Sequence, residues 1–244
     1  MKKLLILGAG TGGTIMANLL YKRLDRREWS ISVIDKDKAH YYQPGFLFIP
    51  FGPYTKEQIT EEKSKFIPRG VEFILSDIER IDPHNSAVLL QDGKRIPYDF
   101  LIVATGVEIM PDETPGLREG RGDTIFDFYT IDGSTALSQK LSNFKSGTIA
   151  VHINEMSIKC PVAPLEFAFL CDWFFCRKKI RDDVEIVFVT LLSGAFTKAV
   201  AAIELGSLLE ERNIKIVTDF SAERVKRGRF RGQFREASPS LFSL

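Results

Sequence analysis

Hydrophobic positions along this chain fall into short apolar runs separated by stretches of helical spacing, and the two patterns alternate. Leu4-Leu5-Ile6-Leu7 predicts a strand over 3–7. After it, Ile15, Met16, Leu19, Leu20 and Leu24 recur at a spacing that predicts a helix over about 14–24 with one buried face. A second run, Ile31 to Ile34, ends at Asp35, and the loop from His40 to Phe46 is rich in turn formers and aromatics. Residues 56–66 read as a charged helix. The character then changes: 71–75, 87–90 and 100–103 predict strands, with Asp92-Gly93 marking a turn before the third. Residues 107–123, rich in proline, glycine and acidic side chains, predict a linker. Alternation then resumes with helix 131–143, strand 148–153, helix 162–178, strand 184–190, helix 197–212 and strand 214–218. Strands alternating with helices predict an α/β fold with parallel sheets and right-handed crossovers. The predicted organisation is one unit over 1–110, a second over 111–222, and an irregular basic tail over 223–244. That tail shows neither helical nor strand period and has no acidic residue between Glu223 and Glu236.

Composition narrows the function classes. The 244 residues suffice for one large domain or two small ones with ample core. A formal net charge of +1 argues neither for nor against a polyanionic partner, and with no nucleic-acid-binding domain in view none is expected. The opening Met-Lys-Lys-Leu-Leu-Ile-Leu has too short an apolar run for a signal peptide and breaks into glycines. No apolar stretch approaches the roughly 18 residues of a spanning helix. Cys160, Cys171 and Cys176 are an odd number in one short stretch, which is neither a secreted disulfide framework nor a zinc pattern. A cytoplasmic or membrane-peripheral location and no metal site are the resulting expectations.

The chemistry concentrates in two loops. GAGTGG, from Gly8 to Gly13, follows the first strand and opens the first helix. In that context Gly8 permits a tight turn, Gly10 lets backbone approach a pyrophosphate, and Gly13 allows close helix–strand packing. The pyrophosphate would sit at the helix N-terminus, and Asp35 at the end of the next strand would take the ribose hydroxyls. This loop leaves NAD and FAD both open. Ala104-Thr105-Gly106 ends a buried strand in a small-residue turn and suits a return to the cofactor. The second loop lies between strand 148–153 and helix 162–178, where a second glycine loop belongs. It contains no glycine from 154 to 164 and carries Lys159, Cys160 and Pro161 instead. Pyrophosphate binding there should fail, which disfavours a pyridine-nucleotide donor.

Cys160 reads in two ways. A helix N-terminus and a neighbouring ammonium favour a nucleophilic thiolate, whereas most free cysteines are small packed side chains; the residues alone leave both open. Glu166 is a proton carrier or a partner of the helix dipole. Cys171 and Cys176 read as core thiols, and eleven residues of helix put Cys171 about 16 Å from Cys160, too far for a disulfide. His152 reads as a core histidine, while His40 and His84 lack a second ligand. In the tail, Arg224, Lys226, Arg227, Arg229, Arg231 and Arg235 interleave with Phe230 and Phe234 and read as a solvated, disordered end.

Taken together, GAGTGG, VIDKDKAHYYQPGF, YDFLIVATG and KCPVAPLEF resemble the FAD-dependent sulfide:quinone oxidoreductases over about residues 1–222. These stand beside the flavocytochrome c sulfide dehydrogenases and type II NADH dehydrogenases among two-dinucleotide-binding-domain flavoproteins. The resemblance implies two Rossmann-like units of the FAD/NAD(P)-binding type, C-terminally incomplete. It implies FAD contacts at Gly8, Ala9, Gly10, Thr11, Gly12, Gly13, Asp35 and Lys36, at Thr105 and Gly106, and at the flavin-side Gln43, Pro44 and Gly45. Ile78 matches an adenine-side backbone contact. Cys160 matches a redox cysteine close to the flavin ring, while Glu166 stays a catalytic candidate on its own position early in the helix. Sulfide would be the donor and a quinone the acceptor. Peripheral membrane contact through a missing C-terminal region and homo-oligomerisation are both compatible with it. The chain departs from the family in having no cysteine before residue 160, no partner cysteine downstream, and no second flavin-contacting Gly-Asp segment. It therefore reads as the N-terminal part of a longer protein, with a type II NADH dehydrogenase relative and a catalytically inert remnant as alternatives.

Overall fold

The computed structural model describes residues 1–226, 229–234 and 240–241 and divides the chain into two compact units. One comprises Met1–Tyr42 and Glu57–Ile109, the other Gln43–Lys56 and Met110–Leu244.

In the first unit, β1 (Lys2–Leu7), α1 (Thr11–Arg23) and β2 (Trp29–Asp35) open the chain. A short hairpin of β3 (Ala39–Tyr41) and β4 (Thr60–Glu62) follows, then β5 (Glu72–Leu75), β6 (Ile78–Asp82), β7 (Ala87–Leu90), β8 (Arg95–Pro97) and β9 (Phe100–Val103). Strands β5, β2, β1 and β9 lie side by side in that order, all parallel, while β6, β7 and β8 form an antiparallel sheet. β1 is apolar throughout its inner half because both of its faces are covered. Leu4 and Ile6 pack with Ala17, Ile31 and Val33 on one side, and Leu5 and Leu7 with Ile34, Val88 and Leu90 on the other.

Two expectations for this unit are corrected. Of the apolar face predicted for α1, Met16, Leu20 and Leu24 pack partly buried against the cluster around Leu4 and Ile6, but Ile15 and Leu19 are 52% and 43% exposed, and the buried residues are Gly13, Thr14 and Ala17. The small residues face the sheet because helix and strand approach closely there, where a Cβ on Gly13 would meet the Gly8 carbonyl oxygen. Residues 56–66 form no long helix: β4 pairs with β3, and single 3-10 turns flank it at Glu57–Ile59 and Lys63–Phe66. Strand pairing there uses backbone groups that a polar, charged sequence does not advertise.

The second unit contains α2 (Leu117–Gly120), α3 (Ile131–Asn143), β10 (Gly147–Ile153), α4 (Ala163–Lys178), β11 (Val184–Thr190), α5 (Ala199–Glu211) and β12 (Ile214–Val217). β10, β11 and β12 are parallel in sequence order. Thr130 caps α3, its hydroxyl accepting from the Gly133 N–H at 3.0 Å, which fixes the helix start. α4 covers the sheet with Leu165, Phe167, Ala168, Cys171 and Phe175 buried in one apolar cluster.

The segment Gln43–Lys56 groups with this unit, a departure from the 1–110 assignment. The cause is aromatic packing: Phe51 stands 5.1 Å from Phe167 and 5.7 Å from Phe174, ring centre to ring centre. The tail is also corrected. β13 (Phe220–Lys226) pairs antiparallel with β14 (Arg229–Phe234), and β15 (Ser240–Leu241) adds to β14. A bulge between Ala222 and Arg224 breaks the two-residue alternation, so Phe220, Ala222 and Val225 are the buried positions. Arg224, Lys226, Arg229 and Arg231 are exposed. Arg227 and Arg235 lie outside the described residues, as does the side chain of Phe230. No helix among the described residues is long and apolar enough to cross a membrane.

Candidate functional site

The glycine loop between β1 and α1 is built by steric demand at two of its glycines and left open at a third. Gly8 adopts φ +92°, and a Cβ there would stand 2.4 Å from the Ala104 carbonyl oxygen. β9 brings Ala104 to this position: Leu7 lies opposite Val103, and the Ala104 N–H donates to the Leu7 carbonyl at 2.7 Å. The Ala104-Thr105-Gly106 turn therefore lies directly against the loop, with Gly106 at φ +77° beside open space. A Cβ on Gly13 would come within 1.8 Å of the Gly8 carbonyl oxygen, so helix and strand can approach only through glycine. Gly10, at the head of α1, has nothing within 4 Å of where its Cβ would be, and Gly12 meets only the Ala104 methyl at 3.8 Å. Ala9 is buried, and Thr11 is exposed at the first position of α1. The loop thus combines a fixed backbone with free space at a helix N-terminus that has no acidic side chain in its first turn. That combination suits a pyrophosphate.

Asp35 ends β2 beside this loop. Its Oδ2 accepts from the Ala9 N–H at 2.6 Å. Its Oδ1 accepts from the Asp37 N–H at 2.9 Å and from the Lys63 ammonium at 2.6 Å. Burial by itself pushes this carboxyl up, and the Lys63 hydrogen bond, the two N–H groups and the Lys63 charge together outweigh it and hold Asp35 below the usual carboxylate range. Lys63 was invisible in the sequence, where it looked like one cation among several on a charged helix. Lys36 is exposed. Ile78 begins β6 opposite Leu90 and packs against the cluster formed by Leu5, Leu7 and Ile34.

In the second unit the crossover from β10 to α4 carries Cys160, which is exposed and adopts φ +52°. The left-handed region costs a non-glycine residue roughly 1 kcal/mol. The Cys160 carbonyl accepts from the Ala163 N–H at 3.0 Å, joining the residue to the first turn of α4. Beside it, the Lys159 ammonium donates to the Gln43 side-chain oxygen. That bond brings together two segments singled out separately in the sequence. Gln43 and Pro44 are exposed and Gly45 is buried in a 3-10 turn over Gln43–Leu47. Glu166 is exposed in the first turn of α4.

Tyr129 joins this cluster and was missed in the sequence. Its hydroxyl is buried and has no hydrogen-bond partner among the described residues. Burial first, and then the charges of Cys160 and Glu166, push its phenol up to about 12. The turn that carries it is held firmly: Asp127 Oδ1 accepts from the Tyr129 and Thr130 N–H groups at 3.0 and 2.9 Å. Phe128 stacks on Phe167 of α4 at 4.6 Å. The only signal in the sequence was the aromatic run Phe126, Phe128 and Tyr129 between the linker and the helix over 131–143.

The remaining candidates separate cleanly. Cys171 is fully buried, and burial pushes its thiol up. Cys176 is exposed, contrary to the core reading, because it lies on the outward side of α4. His152 packs its ring 5.9 Å from Phe220, and burial pushes its imidazole down to about 4.

The family model described as pyridine nucleotide-disulphide oxidoreductase matches residues 2–152. The mitochondrial sulfide:quinone oxidoreductase of Dictyostelium discoideum is 28% identical over 214 residues, covering 87% of this chain and 47% of that protein. A type II NADH:quinone oxidoreductase of Staphylococcus haemolyticus is 31% identical over 143 residues, covering 58% and 34%. The crystal structure of the sulfide:quinone oxidoreductase of Aquifex aeolicus superposes with a TM-score of 0.84 at 22% identity, covering 98% of this chain and 56% of that one. That likeness establishes the parallel-sheet α/β fold. The chain spans about half the length of the curated relatives it matches.

Proposed function

The chain belongs to the pyridine nucleotide-disulphide oxidoreductase family, and from that premise we propose that it is a flavoprotein of the sulfide:quinone oxidoreductase type. The observation that carries this reading is Cys160: an exposed thiol in left-handed backbone on a crossover with no glycine from 154 to 164. The names of the Dictyostelium and Aquifex relatives support the same reading. FAD is the cofactor, as in this family's flavoproteins. The residues that would hold it fit: open space at Gly10, the free N-terminus of α1, the Ala104–Gly106 turn and the Asp35 carboxylate. When bound, FAD supplies a two-electron acceptor that can hand both electrons on to a quinone. Quinones are lipid-soluble, so the acceptor side of the reaction belongs at a membrane surface.

The work of the protein's own residues is on sulfur. Cys160 and a hydrosulfide ion join through a new S–S bond to give a persulfide anion, releasing two protons and two electrons. Glu166, in the first turn of the helix that follows, is the residue to take one of those protons. Lys159, held on Gln43, puts a positive charge beside an anionic sulfur.

An anaerobic sulfide titration of the FAD-loaded chain tests this. Flavin absorbance is expected to bleach in the wild type, and Cys160→Ser should slow bleaching by roughly a thousandfold or more, the scale on which nucleophile loss acts. Equal bleaching of wild type and variant rejects Cys160. Bleaching by micromolar NADH instead would favour the reading carried by the Staphylococcus relative's name.

A further inference from the structure

Two side chains outside the expected nucleotide contacts converge on one short turn, Lys63–Phe66. Lys63, in this turn, reaches Asp35 with its ammonium while its own N–H donates to the Lys38 carbonyl at 2.8 Å. Asn18, on α1, donates to the Phe66 carbonyl at 2.7 Å and to the Thr14 carbonyl at 2.8 Å. Thr14 in turn donates through its hydroxyl to the Gly10 carbonyl at 2.9 Å. The same turn therefore grips the ribose-side carboxylate and the helix that presents the glycine loop. The β3–β4 hairpin brings it there, by pairing Ala39 with Glu62.

We propose that Lys63 is a positioning residue of the dinucleotide site, holding the Asp35 carboxylate for the adenosine ribose of the cofactor. The proposal rests on the reading of the glycine loop and Asp35 as an FAD site. Three donors already occupy Asp35, two on Oδ1 and one on Oδ2. A carboxylate has about four lone-pair positions, so what remains is acceptor capacity on Oδ2, the oxygen beside Ala9. An ionised Oδ2 accepts a ribose hydroxyl, while a protonated carboxyl loses much of that capacity. Both partners are enclosed, with side chains 7% and 12% exposed for Lys63 and Asp35. Burial alone would favour the neutral acid, and the Lys63 ammonium is the charged side chain that offsets it. The neighbouring charges face elsewhere: Asp37 accepts from the Ala39 N–H at 2.9 Å, and Lys36 is exposed. A purely structural role is a poor explanation, because buried ion pairs add little net stability over apolar residues of similar size.

FAD affinity measured by fluorescence quenching against pH tests the assignment, with thermal unfolding followed alongside. Wild type is expected to keep one affinity from about pH 8 to about pH 5, above the range where its carboxylate titrates. Lys63→Met should match wild type most closely at about pH 8 and fall about tenfold below it by about pH 5, converging on Asp35→Asn. Lys63→Arg should restore the flat profile. A Lys63→Met profile running parallel to wild type, or a wild-type affinity that itself falls between about pH 6 and about pH 5, overturns the proposal. Were Lys63→Met not to fold, wild type and Asp35→Asn with equal affinity at about pH 5 would overturn it as well. Failure of wild type to bind FAD at any pH, or Asp35→Asn binding as wild type does at about pH 8, rejects the underlying FAD reading and is distinct from these results.

Discussion

Gly10 and Gly13 stand three positions apart in one loop and answer to different constraints. Gly13 is required by the protein itself, because a Cβ would sit 1.8 Å from the Gly8 carbonyl oxygen. Gly10 meets no protein atom within 4 Å and has an ordinary negative φ of −72°, so any requirement for glycine there comes from a ligand. Gly13→Ala should therefore destabilise the apoprotein by about 1 to 3 kcal/mol, the usual cost of overpacking. Gly10→Ala should cost the apoprotein less than about 1 kcal/mol, the loss of a glycine cap, while weakening FAD binding severalfold or more. Thermal unfolding without flavin and flavin titration separate the two effects; equal destabilisation by both substitutions would contradict the geometry. The glycines were legible because a turn, a close approach and an open cradle each leave glycine in the sequence. Lys63 was not, since a buried cation and a surface cation are written with the same letter. Cys160 was legible from the missing glycines, the helix that follows and the adjoining Lys159, and Tyr129 hardly at all.

At the scale of elements, α4 is anchored at both ends by different physics. Its first turns are held by aromatic packing, with Phe167 between Phe51 and Phe128. Its later part is held by charge: buried Asp172 bonds Arg181 at 2.7 Å and Arg212 at 3.2 Å. Arg181 continues to the carbonyls of Val184, Arg212 and Asn213, which closes the ends of β11 and α5 around it. Removing one partner strands a buried charge, so Asp172→Ala should cost about 3 to 5 kcal/mol in urea unfolding. The double replacement Asp172→Leu with Arg181→Met should recover most of that loss, and a double variant no better than the single one would refute the ion-pair account. Elements with continuous apolar runs, such as β1 and β11, could be read from sequence, as could the helix α3. The β3–β4 hairpin could not, because its three-residue strands pair across a long excursion and carry polar side chains. β13 escaped for another reason: its bulge at Ala222/Arg224 removes the alternation by which a half-buried strand is recognised.

For the molecule as a whole, alternation of strands and helices indicated two parallel-sheet units, but not that Gln43–Lys56 groups with the second. That depends on Phe51, whose partners are more than a hundred positions away in the chain. The response to acid follows from what these units bury. With a formal net charge of +1, self-repulsion near neutrality is small, so specific buried groups set the slope of stability against pH. His152 is the group that matters first: burial pushes its imidazole down to about 4 from an ordinary value near 6.5. The unfolded chain then takes up a proton that the folded protein refuses. Stability is full above about 6.5 and declines as pH falls toward about 4, by about 3 kcal/mol at 1.36 kcal/mol per unit, then levels off. Asp35 behaves in the same direction but later, since its lowered carboxyl contributes stability that is lost only as acid titrates it below the usual carboxylate range. Urea midpoints measured between about pH 7 and about pH 4.5 should therefore fall in wild type. In His152→Leu, which removes the titrating ring from beside Phe220, the profile over the same interval should be close to flat. An identical slope in both proteins would mean that the imidazole is accessible to protons in the folded state, and would assign the acid response to the carboxylates instead.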